Sequence, residues 1–495
     1  PTSSAQVGVA ENTNTGSTAA PAKTGGSIRV ASIAPASPLD PVAMVDLASY
    51  AVIAQCFEYL CYAAPDLKLK PGLAESWEPN ADGSEWTFKL RQGVKWQDGG
   101  DFTADDVVAT MERLVKAGNS GLKGVLEAGG TTAADPGTVV FKLTGPNGNF
   151  PYLVGTDNPQ TPITPKGYEA GTTLDKVPNG TGPFKLAKYD QKTGASFVRN
   201  DGWWGGKTPL DGSEWTFFQD LQPQVVALQQ GQVDLIVQFS VLGGEGLLND
   251  SNLNVIALRG ATHREIWMRC DKGTFKDKRV RQAVAYTFDR QAMVQTLFKG
   301  TADIGNDHVI APAYPFFDSS VPQRPKDIDK AKALLQEAGV TSVKATLHAN
   351  KLQEIPDLAA LVKQGAAEAG ITFDISVEDA GPFYGKSWCP EKPADPPCSG
   401  AADIGIVDYG HRGVPDVYLN AALSTGGVWN SSQYANPDFD AAIKTYQAAV
   451  GIDAQKAACK TIETILLEDT PVGIPYFYNF LSAHSKKFTG IGITG

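Results

Sequence analysis

The sequence predicts an α/β fold divided into more than one domain. Three observations carry that prediction. Stretches in which apolar residues alternate with polar ones are interleaved with stretches of helical period on both sides of about residue 265. The chain, at 495 residues, exceeds what a single core supports. Its hydrophobic content of 42% is ordinary for a globular protein, and no run approaches the ~18 apolar residues of a membrane helix.

Taken in order, residues 1–25 are rich in Ser, Thr, Ala, Gly and Asn, too poor in apolar surface to repay ordering, and are expected to form a flexible leader. Such a start implies a secreted protein whose signal has been removed. Gly26 to Ala34 is expected to be a strand and Val45 to Tyr62 a helix. Pro71 to Arg113 is the most ordered stretch. Trp86, Phe88 and Leu90 alternate with Thr87, Lys89 and Arg91, after a turn at Asn80 to Gly83. Thr103 and Asp106 then supply a helix start, followed by Val107, Val108, Met111 and Leu114 at helical spacing. Pro136-Gly137 turns into a strand ending near Leu143, and Ile328 to Gly339 reads as a helix closed by glycine.

Charge and cysteine content narrow the function classes. The chain carries 43 basic and 54 acidic residues and no basic stripe with interleaved aromatics, which excludes nucleic acid as a partner. Six cysteines suit an oxidising compartment. Cys389 and Cys398 flank a proline-rich loop and form the best candidate bridge; Cys270 and Cys459 are the next pair, the alternative being free buried thiols. Cys56 and Cys61, if both lie in one helix, sit too far apart to join.

Catalytic and metal patterns find little support. No G-x-S-x-G elbow occurs, and Ser120 to Lys123 satisfies S-x-x-K only within a glycine-flanked loop. Glu78 to Gly83 mimics the start of a calcium loop, but Lys89 falls where its bidentate glutamate belongs. The five histidines lack metal-ligand spacing, so neither metal nor other cofactor is expected. Gly180-Thr-Gly182 is not followed by the third glycine of a nucleotide loop. Trp203-Trp204 is expected to be structural, with sugar stacking the alternative.

Leu73 to Val107, LAESWE, turn, WTFKLRQGVKWQDGGDFTADDV, resembles the signature of the large solute-binding proteins of ABC importers, the family of dipeptide-, oligopeptide- and nickel-binding proteins. Leu39-Asp-Pro41, GTGPFKLAKY from Gly180, LQQGQVD from Leu228 and FKDKRVRQAVAYTFDR from Phe275 continue the resemblance, which spans Gly26 to Gly495. It implies a two-lobed periplasmic-binding-protein-like fold with a third domain inserted in lobe I. Lobe I is expected at 26–45, 180–264 and 476–495, the inserted domain at 46–179, and lobe II at 265–475. It further implies a monomeric, non-enzymatic receptor outside the cytoplasm, in the periplasm or at the cell surface, with a lipid anchor upstream of Pro1 as one possibility. That receptor closes on its ligand by a hinge and hands it to an ABC permease. The connecting segments are expected near Thr262 to Ile266 and Ile474 to Phe477.

One stretch gathers chemistry suited to a ligand. Asp403 to Asn420 places a short apolar strand before Asp408, Tyr409, His411 and Arg412, at the carboxyl end where α/β sheets present ligands. In peptide-binding members this position reads W-x-Asp-Tyr, and the resemblance implies that Asp408 pairs with a peptide ammonium group. Ile406 replaces the tryptophan, and His411 and Arg412 are candidates to grip a carboxylate or phosphate, so an opine, oligosaccharide or sugar phosphate is the alternative ligand. Asp408 capping a helix or pairing with Arg412 is the structural alternative, and a secreted hydrolase the remote one. Ile33, Ala34, Pro35 and Ala36 could offer main-chain groups to an extended ligand as an added strand. Tyr384, Trp388 and Trp429 are candidates for a side wall.

Overall fold

The computed structural model describes residues 24–390 and 396–492, so the expected leader lies outside the described residues but for its last two. The chain divides into two compact units. One runs to Leu258 and resumes at Phe480; the other is Arg259–Asn479.

The first unit is built on strand Ser27–Ile33, whose apolar residues lie against both neighbours in the middle of a seven-stranded sheet. It runs parallel to Gly212–Phe218 on one side and to Leu235–Phe239 on the other. Phe480–Ser485, returning from the second unit, inserts antiparallel between Leu235–Phe239 and Leu253–Leu258. A separate antiparallel sheet takes the order Ala74–Pro79, Glu85–Leu90, Thr138–Lys142, Thr131–Asp135. Trp86, Phe88 and Leu90 are buried on one face of it, as their alternation predicts. Helix Ala104–Lys116 packs on this sheet, its first turn held by the Asp106 carboxylate, which accepts from the Thr103 N–H at 2.8 Å.

The expected helix from Val45 to Tyr62 is much shorter. It spans Leu47–Ile53, and Cys61–Ala63 is a strand paired with Leu69–Pro71. The reason lies in the glycines of the GTGPF stretch. The Gly182 N–H donates to the Cys56 carbonyl at 2.7 Å, and a Cβ at Gly180 or Gly182 would stand 2.0 or 2.6 Å from that oxygen. The backbone at Cys56 is thus engaged by a distant loop instead of a helical turn.

Trp203 and Trp204 are structural. Their indole N–H groups donate to the two oxygens of buried Glu58, at 3.0 and 2.8 Å, and the Arg91 guanidinium lies 4.1 Å over the Trp204 ring. Glu58→Gln is expected to destabilise the protein by about 1–3 kcal/mol in urea unfolding, because an amide presents N–H to one of the indoles and leaves that donor without an acceptor.

The second unit is built on another sheet. Its strand order is Ala302–Ile304, Tyr476–Tyr478, His263–Met268, Ile404–Tyr409, Val343–Asn350, Ile371–Glu378, with Val472–Gly473 also pairing with His263–Met268. The helical stretch from Phe275 is broken in two, Lys278–Tyr286 and Arg290–Phe298, because Asp277 and Asp289 each cap a separate start. Val280, Ala283, Val284 and Phe288 are all buried. The chain passes between the units at Leu258–Arg259 and Asn479–Phe480. Thr262 to Ile266, expected as a crossing, falls almost entirely within the paired strand His263–Met268, and Phe477 pairs with His263.

Cys389 and Cys398 are joined, as their loop suggested. Cys270 and Cys459 are not a pair. Both are free, as are Cys56 and Cys61. The Cys270 thiol donates to the Met268 carbonyl at 3.4 Å, and burial pushes it up to about 12, while Cys459 lies on the buried face of helix Ile452–Asp469.

Candidate functional site

In the second unit, Ile404–Tyr409 runs antiparallel to His263–Met268, with Arg264 opposite Asp408 and His263 opposite Tyr409. It runs parallel to Val343–Asn350. This register brings Asn350 and Asp408, from two carboxyl ends, to the amino end of the strand that carries Arg264. Directly opposed residues share a face and successive ones alternate, so Asp408 and Arg264 lie on one face and Tyr409 and His263 on the other.

Asp408 is half-buried. Its Oδ1 accepts from the Tyr384 hydroxyl at 2.5 Å and from Asn350 Nδ2 at 3.4 Å, while Asn350 Nδ2 also donates to the Tyr384 oxygen at 3.0 Å. Its Oδ2 takes no bond from a described residue, and Asp408 forms no ion pair among the described residues. It neither caps a helix nor pairs with Arg412, whose Nη1 donates to the His411 carbonyl at 2.7 Å. Burial and the carboxylate of Asp408 push the Tyr384 phenol up.

Beside it lies a fully buried charge pair that the sequence reading missed. Arg264 Nε and Nη2 donate to the two Glu354 oxygens at 2.8 and 3.2 Å, and Nη2 also donates to Gln353 at 2.7 Å. The Tyr476 hydroxyl donates to Glu354 at 3.0 Å, and the guanidinium lies 4.8 Å over the Tyr478 ring. Burial pulls the Arg264 pKa down, but Tyr478 and Glu354 outweigh it and hold the guanidinium above its ordinary value. Three consecutive ionisable residues, His263, Arg264 and Glu265, leading into the apolar Ile266 to Met268 were the signal that could have revealed it.

Tyr409 occupies the opposite face. It is 6% exposed, stacks on His263 at 5.5 Å, and lies 6.3 Å from Trp429, with its hydroxyl unpartnered among the described residues. Trp388 lies between Tyr384, at 5.6 Å, and Trp429, at 6.5 Å, so the three expected wall residues do come together. The Val428–Trp429 turn is anchored by the Trp429 N–H, which donates to the Ala421 carbonyl.

His411 does not provide positive charge. Its Nδ1 accepts from the Ala261 N–H at 3.0 Å, and burial, with Arg412 nearby, pushes it down to about 4, so the ring is neutral at pH 7. Ile33, Ala34, Pro35 and Ala36 belong to the first unit. Ile33 pairs with Phe218 on one side, while the pairing to Leu235–Phe239 covers only Val30 and Ala31; the Ala34 N–H and Pro35 carbonyl are taken by Phe218 and Gln191. A recess of about 710 Å³ lined by Tyr168, Glu169, Asn179 and Lys185 also lies in the first unit and shares no residue with the Asp408 cluster.

The sequence model of the bacterial extracellular solute-binding proteins, family 5, matches residues 68–397, two thirds of the chain. The chain belongs to that family. Glutathione-binding protein GsiB of Escherichia coli is 28% identical over 475 residues, covering 92% of this chain and 90% of GsiB. Two solved structures share the family 5 fold seen here. HbpA2 from Haemophilus parasuis has a TM-score of 0.81 at 21% identity, covering 93% of this chain and 96% of its own. The periplasmic binding protein DppA from Helicobacter pylori, in complex with peptide STSA, has a TM-score of 0.70 at 21% identity, with 94% and 95% covered. Membership makes this chain an extracytoplasmic solute-binding receptor of an ABC import system, and the two-lobed α/β architecture follows the family fold. Among the described residues no helix is long and apolar enough to cross a membrane.

Proposed function

We propose that the solute is a short peptide and that Asp408 holds its amino end. The observation that carries this reading is the carboxylate itself. Tyr384 and Asn350 fix Oδ1, while Oδ2 has no partner among the described residues. A half-buried carboxylate positioned by neutral donors is stabilised by an incoming cation, and so selects ligands that carry one. Tyr384, Trp388 and Trp429 supply the apolar wall for the first side chain. The names of the relatives agree in kind, one glutathione-binding and one crystallised with a peptide. The neutral His411 takes away one of the two cationic grips, His411 and Arg412, on which a sugar phosphate would rest.

In this reading the protein acts as a monomer, without turnover, and passes its peptide to a membrane permease. Calorimetric titration with trialanine tests it. Asp408→Asn is expected to weaken binding about 10- to 100-fold, the worth of one charge-assisted hydrogen bond, and N-acetylation of the peptide should cost the wild-type protein a similar factor. Equal affinity in wild type and variant would sink the ammonium-pairing role.

A further inference from the structure

We propose that the second unit holds a separate site for a small primary amine or ammonium ion, in the cavity beside His308 and Glu463. That cavity measures about 230 Å³, and its walls include Ile304, Asn306, His308, Phe317, Ser320 and Gln323. It shares no residue with the Asp408 cluster.

His308 is 1% exposed, and neither ring nitrogen meets a partner at hydrogen-bond geometry among the described residues. Glu463 is fully buried. Its Oε2 stands 4.0 Å from His308 Nε2 and is also without a hydrogen-bond partner among the described residues, while Oε1 accepts a long bond, 3.3 Å, from the Asp318 N–H. Folded proteins rarely leave buried polar atoms unpaired, because each forfeits its hydration without replacement. Three such atoms in one side-chain pair beside a cavity mark a place where a ligand completes the bonding.

The chemistry of the pair selects the ligand. Burial pushes His308 down to about 4, against the opposing pull of Asp307 and the Ile310 backbone, and pushes Glu463 up to about 8. A neutral imidazole has one N–H donor and one acceptor nitrogen. With its N–H turned to the Ile310 backbone, Nε2 is left to accept from a ligand that can also donate to Glu463 Oε2, 4.0 Å away. A cationic N–H donor satisfies both atoms, and its charge favours the ionised carboxylate. An anion would meet Glu463 and Asp318 instead. Lys456 and Lys460 lie near Glu463, but Lys460 donates to Ser320 Oγ at 2.9 Å and stands 4.0 Å from Asp318. The Phe317 ring, 6.2 Å from the imidazole, and Phe477 form an apolar wall suited to the carbon end of a small amine.

The test is a titration of the whole protein with methylammonium chloride, followed through the ¹⁵N resonances of its five histidine rings, with potassium chloride as the matched control. One imidazole, identified as His308 by its disappearance in His308→Gln, is expected to shift saturably with methylammonium alone. Glu463→Gln should weaken that saturation about tenfold, the loss of one charge-assisted interaction. Asp408→Asn should leave the titration unchanged, so this proposal and the peptide reading stand or fall separately. No saturable shift, an equal shift with potassium chloride, or an unaltered titration in Glu463→Gln overturns it. If His308→Gln does not fold, Glu463→Gln, which keeps the shape and removes the charge, decides the matter.

Discussion

Arg264→Ala is expected to destabilise the second unit by about 3–5 kcal/mol, the usual cost of removing one partner from a buried ion pair. The Arg264 side chain is 2% exposed and that of Glu354 7%, so neither solvent nor salt can replace what is lost. The damage falls mainly on Glu354. It would keep the Tyr476 hydroxyl but lose both guanidinium bonds, and its charge would lie stranded against an aromatic wall. Urea unfolding of Arg264→Ala beside the double variant Arg264→Met, Glu354→Leu separates the two contributions. The double variant should recover most of the loss, because apolar residues of similar volume carry no desolvation cost. A single variant as stable as wild type would show that water reaches the pair.

Glu265→Gln should change how stability depends on pH. Glu265 is 1% exposed, its Oε2 has no hydrogen-bond partner among the described residues, and burial pushes its pKa up to about 8. Between the unfolded value near 4.5 and the folded value near 8, the native state holds a proton that the unfolded chain releases, so stability falls as pH rises through that window. Glu463, also pushed up to about 8, acts in the same sense. His263, His308 and His411 act oppositely. All three are pushed down to about 4 by burial, so the native state holds fewer protons than the unfolded chain between pH 4 and 6.5, and stability rises there with pH. The two sets offset each other below pH 6.5, and above it the carboxylates decide. From pH 6.5 to 8 the wild-type protein should lose about 2 kcal/mol more than Glu265→Gln, one proton's worth over that interval. Parallel slopes in the two proteins would mean that Glu265 does not titrate there.

Local order was legible because its signals lie within a few residues of one another. The alternation of Trp86, Phe88 and Leu90, the Thr103–Asp106 helix start and the Cys389–Cys398 bridge all appear in the structure. Asp408 could be placed at a strand's end for the same reason. What surrounds it could not. Asn350 lies 58 residues away and Tyr384 24, and only the register of the strands, together with the placement of the helical segment Phe383–Trp388, shows that they meet. The Arg264–Glu354 pair spans 90 residues and carries no spacing rule. Tyr409 was grouped with Asp408 by adjacency in sequence, yet the two-residue period of a strand sends it to the other face. The Val45 to Tyr62 helix failed because a glycine loop more than a hundred residues later claims the carbonyl of Cys56.

The pairing of His263 with Phe477, reinforced by the Tyr478 N–H donating to the Thr262 carbonyl at 2.9 Å, has a consequence for engineering. The second unit begins and ends on hydrogen-bonded neighbouring strands, so its two termini are stapled side by side before any linker is drawn. A segment of that kind can be excised, permuted by joining its ends with a few residues, or grafted into another chain at little entropic cost. The Asp408 cluster and the His308 cavity would both travel with it.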